Sequence, residues 1–438
     1  MSVLRHPVPP QAGHRRKRSL IVPSAIQTIR CHILELGRWS VLLCLFSVSI
    51  NKPATGLFIA LALLCSALGE RSGQRLLAAV RQPVVIGCLI WLAALCASTL
   101  YAPPGPLRWE ALRTGIALLY PLIIASLLDS TPWRTRGLLA FGLAVCLIVA
   151  ISWAQFFGVV PQRAIALQIP SFRYTVFHDY TQQGLVSLIL AALAASFARV
   201  EPEHGRRIAL WAVAAAAAIN VIFLLQSRTS YLVVAPLLLY WVWLLAGARQ
   251  ATWRGIAAGL GILLVGATLA AMTPRVQERL LQAQEDVSLY AEKREATSMG
   301  IRLELWKRTL PIIASAPLLG HGLGQWPTEF QAEVKDFSDY DLFKMGHPHQ
   351  EALLILAEQG ALGLAIFVAL LIGLGRHIAR LSSPQHDFFA SLLLIYITAG
   401  LANCLWVVFA HRNVFMLLLA CIPLLPKTDL TKFSPSSA

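Results

Sequence analysis

A chain of 438 residues that is 57% hydrophobic and 13% charged, with a mean hydropathy of +0.63, lies outside the range of soluble globular domains. The formal charge of +15 is spread over short loops rather than gathered on one soluble face. That distribution fits anionic lipid headgroups and membrane orientation, and no nucleic-acid partner is expected. The eight cysteines lie mostly in apolar runs with no C-x-x-C pair, so they read as small buried hydrophobes and exclude a disulfide or zinc framework.

The chain therefore reads as an all-α, polytopic membrane protein. Residues 1–33 carry HRRKR at 14–18 with no compact apolar core at signal-peptide distance, and read as a basic cytoplasmic tail. A span needs about twenty predominantly apolar residues. On that criterion helices are expected near 34–50, 54–69, 83–101, 109–128, 137–160, 182–199, 208–226, 230–247, 255–272, 350–375, 388–409 and 413–426, about twelve in all. The layout is nine spans over 34–272, a large external subdomain at 273–349, three spans over 350–426, and a tail at 427–438. With the N-terminus cytoplasmic, the inside segments hold about twenty Lys and Arg and far fewer acids, as the positive-inside rule requires. Both termini are then inside.

The outer face carries the unusual polar residues. It includes the loop 161–180 with Arg163 and Arg173, the tight turn Ser227 to Ser230 preceded by Gln226, and the long segment from 273 to 348. That last segment mixes basic and acidic residues and reads as a solvated, functional loop rather than a tail. Helix-like patterns run over 276–296 and 300–314 within it.

Four features in these segments can carry chemistry. Arg228 stands where one apolar run ends and the next begins, among Ser227, Thr229 and Ser230. Its planar fork suits phosphate and the hydroxyls can add donors, although a snorkelling interfacial arginine explains it equally well. Arg302 shares a helical face with Trp306, and the pair also fits an amphipathic interfacial helix. The Gly320-His-Gly-Leu-Gly324 run has no preceding strand, so it is no dinucleotide loop; a φ-positive turn is expected, with His321 structural. Gly346-His-Pro-His-Gln-Glu351 opens a span, and Pro348 is expected to set His349 in the first helical turn, where the dipole keeps the imidazole neutral and able to accept a proton. Capping by this histidine, or metal binding assisted by Asp339 and Asp341, are the alternatives.

In this order the motifs resemble the O-antigen ligase and polymerase superfamily. The features shared are many spans, an external turn carrying Q-S-R, a late loop opening with R-x-x-x-W, a P-L-L-G-H-G-L-G turn, and a histidine followed by L-x-x-x-x-E-x-G-x-x-G (Leu353, Glu358, Gly360, Gly363). The family often has asparagine after the histidine; this chain has Gln350, and His347 is a second candidate base. The resemblance implies a glycosyltransferase of the bacterial inner membrane acting on its periplasmic face. Its ligase branch moves a glycan from an undecaprenyl diphosphate carrier to a sugar hydroxyl of lipid A core. On that reading His349 is the general base, Arg228 and Arg302 bind the diphosphate, and Arg163 and Arg173 assist. No metal or other cofactor is called for, and membrane lipids are the surrounding partners. A polymerase or a protein O-oligosaccharyltransferase fits the same motifs. A secondary transporter or flippase should instead place charge in mid-span, where this chain has little.

Overall fold

Inside a bilayer each backbone N–H and C=O must be satisfied within its own segment, so apolar runs of this length fold as helices. The computed structural model describes residues 25–225, 227–246, 298–334 and 345–423, together with positions 277 and 281, and every regular element among them is helical. Among the described residues six helices are long and apolar enough to cross a membrane, or seven if one bent pair is counted as a span. Their outward faces carry Leu57, Leu64, Leu143 and Leu362, each more than half exposed, which suits lipid and not water.

The first four helices are α1 (Ala25–Ser47), α2 (Lys52–Leu68), α3 (Ser72–Val80) and α4 (Pro83–Ser98). Asn51 caps α2 by accepting from Ala54 N at 2.9 Å. The segment 70–82, expected as a loop, contains α3, which turns 112° away from α2. Next come α5 (Pro106–Gly115), a 3-10 turn at Ile116–Leu119 and α6 (Tyr120–Leu127). Pro121 sits in the first turn of α6, where its missing N–H leaves no helical bond unmade.

Then follow α7 (Thr131–Phe156), α8 (Ile165–Gln168), α9 (Tyr180–Val200) and α10 (His204–Ile219), the last running into a π-helical turn at Asn220–Leu224. Asp179 caps α9 through Thr181 N and Gln182 N. Nearly the whole surface of α9 is buried, because α7, α10, α11 (Arg228–Leu245) and α15 (Gln385–Gly400) surround it. Near its C-terminal end, α9 is tied to α15 by an ion pair between Arg199 and the buried Asp387, at 2.7 Å.

The remaining helices are α12 (Ser298–Ser315), α13 (Trp326–Glu333), α14 (Glu351–Ile378) and α16 (Phe409–Leu419). Two expectations shift here. The run 388–409 ends as helix at Gly400 and continues as a turn through 408, and His349 lies before α14, not in its first turn. The span expected at 255–272, most of the pattern at 276–296, and Gln226, Asp339 and Asp341 lie outside the described residues, as do residues 1–24 of the basic tail and the tail at 427–438.

Candidate functional site

The glycine-rich turn is a lock between α12 and α14. Gly320, Gly322 and Gly324 all have positive φ, as does Gly360, which breaks the helical path of α14 at φ +63°. The break frees backbone groups that the turn then satisfies: His321 N donates to Ala357 O and Gly322 N to Glu358 O, both at 2.9 Å, while Ala361 N and Leu362 N donate to Pro317 O and Leu318 O. A Cβ on Gly360 would stand 2.3 Å from Leu318 C, so the two backbones meet only because that position is glycine. His321 Nε2 lies 3.0 Å from both Ser315 Oγ and Ile312 O, at the C-terminal end of α12.

Beyond this lock the chain returns as residues 345–350. Trp306 Nε1 donates to Pro348 O at 3.0 Å, fastening that loop to α12, and Gln350 caps α14 by accepting from Leu353 N. Between these two anchors His349 is held at φ +53°, a conformation rarely adopted outside glycine and characteristic of sites that need it. Its backbone N donates to His347 Nδ1 at 3.3 Å, and the two rings meet edge to face at 4.4 Å. The neutrality expected from a helix dipole has a different origin. Burial lowers the pKa of His349 and the charge of Arg302 lowers it further, against a raising contribution from Asn403. His347 is pushed down to about 4 by burial, with His349 adding to it.

Asn403 is the residue that sequence reasoning missed. Its Oδ1 lies 3.3 Å from His349 Nδ1, and its Nδ2 donates to Thr229 Oγ1 at 3.2 Å. In the tautomer with the hydrogen on Nδ1, that N–H donates to Asn403 Oδ1 and Nε2 keeps the free lone pair. Asn403 was hidden because it sits inside an apolar run that reads as continuous span. A polar side chain interrupting that run was its one signal.

Arg228 is the first residue of α11, half-buried, with Ser227 as the N-cap accepting from Ser230 N at 3.1 Å. Of the neighbouring hydroxyls expected as extra donors, one has its hydrogen engaged and another serves as an acceptor. Ser230 Oγ donates to Ser227 Oγ at 2.9 Å, and Thr229 Oγ1 accepts from Asn403. Arg302 on α12 is half-buried, and its Nε is buried with no hydrogen-bond partner among the described residues. Burial lowers its pKa, Tyr180 opposes that, and the charge of Arg228 lowers it again. Two guanidinium groups that repel one another beside a neutral imidazole make a site ready for a multiply charged anion.

The arginines of the 161–180 loop are engaged differently. Arg163 donates to His178 O at 2.9 Å within that loop, and Arg173 is exposed. Among the described residues no three His, Cys, Asp or Glu side chains form a metal-binding group.

An all-helical membrane protein with cationic and histidine side chains gathered at the ends of its spans is the class that this fold and site define. Residues 212–368 match the family described as O-antigen ligase, a match that supports assignment to that family and ligase- or polymerase-type activity. The matched stretch runs from α10 through the Arg228 turn, α12 and the lock to the first half of α14. The chain is also similar to an uncharacterized protein of Haemophilus influenzae, 29% identical over 119 residues that make up 26% of this chain and 29% of that protein.

Proposed function

We propose that the chain joins an O-antigen glycan, carried on undecaprenyl diphosphate, to a sugar hydroxyl of lipid A core at the periplasmic face of the bacterial inner membrane, with both termini cytoplasmic. One observation carries this reading: the path from His349 through Asn403 to Thr229, which ties a neutral imidazole to the turn bearing Arg228. In the step envisaged, the acceptor oxygen bonds to the anomeric carbon as the bond from that carbon to the diphosphate oxygen breaks. The electron pair leaves with the diphosphate and the hydroxyl proton passes to His349 Nε2. A single displacement inverts the anomeric centre. Arg228 and Arg302 meet the charge that develops on the leaving diphosphate, electrostatically and in a poorly solvated setting, with no metal ion required. Arg163 and Arg173 add cationic surface for the carrier phosphates.

The test is transfer by the purified protein, with chelator present, offered lipid A core, carrier-linked glycan and protein as acceptors. Conjugate to lipid A core supports the ligase. Product only on carrier-linked glycan or only on protein makes it a polymerase or an oligosaccharyltransferase. Loss of activity in EDTA that a divalent ion restores overturns the metal-free mechanism. His349→Ala should lose turnover by about 10²–10⁴-fold, the usual share of a general base, while donor binding persists. If His347→Ala alone does this, the base is His347. Normal movement of carrier-linked glycan with no transfer indicates a transporter.

A further inference from the structure

Glu358 and the glycines after it were singled out in the sequence, yet the transfer step above uses none of them. They lead to a cavity of about 260 Å³ that His347 borders. It is lined by His347, Glu351, Glu358, Gln359, Trp91 and Trp406, with Glu110, Thr114 and aliphatic side chains around them, and by none of His349, Arg228, Arg302, Thr229 or Asn403. Three of its polar groups are almost wholly buried, Glu351 being 4% and Glu358 and Gln359 each 7% exposed, while Glu110 is exposed.

Part of that polarity is explained by the fold. Glu351 Oε2 accepts from Trp406 N at 3.1 Å, and Glu358 Oε1 lies 3.5 Å from Trp326 N. The rest is not. Glu351 Oε1, Gln359 Oε1 and Trp91 Nε1 are buried with no hydrogen-bond partner among the described residues. Buried groups are left unpaired at a cost, and sites that bind ligands are where that cost is met by the ligand. Two acceptors and one donor, beside the indoles of Trp91 and Trp406 with ring centres 4.4 Å apart, complement a compact ring bearing several hydroxyls. The volume suits one such ring rather than an oligosaccharide.

We infer that this cavity seats the acceptor sugar, its hydroxyls bonding to Glu351 Oε1 and Gln359 Oε1, so that the histidine pair stands between an acceptor pocket and the arginine side that receives the diphosphate. The inference rests on the transferase reading. The sugar chemistry is shared by donor glycan and acceptor, and position favours the acceptor, because the nucleophilic hydroxyl must reach a histidine while the leaving group must reach the guanidinium groups.

The experiment compares wild type with Gln359→Met and Glu351→Gln in the same transfer assay, varying each substrate in turn, and measures direct binding of labelled lipid A core without donor. Gln359→Met removes an acceptor atom that has no protein partner among the described residues, so its thermal midpoint should match wild type, whereas a purely structural role predicts a lower one. Both variants should raise acceptor KM by about tenfold, the loss of roughly one hydrogen bond, and weaken core binding in parallel, with donor KM unchanged. A rise in donor KM alone assigns the cavity to the donor glycan and overturns the inference. Unchanged values for both substrates overturn it too. These results differ from failure of the ligase reading, in which wild type itself does not use lipid A core. In that case the same comparison is made on the acceptor it does use, and unchanged KM again sinks the inference.

Discussion

His349, the proposed base, shows how far an imidazole can be prepared to accept a proton by packing alone. Its backbone is strained, its ring is half-buried, and its Nδ1 is paired to an amide, which leaves Nε2 for chemistry. Because its pKa lies below the ordinary 6.5, log kcat/KM should hold level through neutrality and fall with unit slope only below that value. A break at or above 6.5 would exclude His349 as the base. Asn403→Asp puts a carboxylate where the amide stood and should move the break to higher pH, whereas Asn403→Leu should lower kcat without that shift. The two depressed histidines also set a stability trend. As pH falls through 6.5 the unfolded chain takes up protons that the native state refuses, so stability is full above that value. It then declines toward about 4, where His347 protonates in place, and thermal midpoints across that window test it. Arg228→Ala and Arg302→Ala should each raise donor KM more than acceptor KM, read from the same transfer kinetics. The arginines and histidines were legible in the sequence because charge is conspicuous among apolar residues. Asn403 and the positive φ of His349 were not, since both depend on contacts between segments far apart in the chain.

At the level of elements, the sequence placed most helices within a few residues, because hydrophobic length and capping are local properties. What it missed was short or interrupted. The nine residues of α3 sit between charged neighbours and fall below the length at which a span is read, and Gln350 is an unusual cap. The break at Gly360 gives a sharp prediction. Gly360→Ala must place a side chain at φ +63° and against Leu318, so its thermal midpoint should drop by an amount equivalent to roughly 1–3 kcal/mol or more. Gly373→Ala, in the same helix with nothing within 4 Å of the added Cβ, is the control and should be neutral or mildly stabilising. Equal losses in the two variants would mean that the turn 317–322 is not locked to α14.

For the whole molecule, the arrangement of charges makes sidedness measurable. Arg173 and Arg206 are both exposed, the first on the expected periplasmic face and the second on the expected cytoplasmic one. In a background without the native cysteines, Arg173→Cys should react with an impermeant maleimide on intact spheroplasts and Arg206→Cys only after permeabilisation; the reverse pattern overturns the orientation. The lock at Gly360 then has a mechanical consequence. Arg302 rides on α12 and His349 on the loop that leads into α14, and the turn after α12 is pinned to α14 by four backbone bonds. Together with the bond from Trp306 to Pro348 they tie α12 to the start of α14, so a displacement of either helix carries the other and the spacing between Arg302 and His349 is kept.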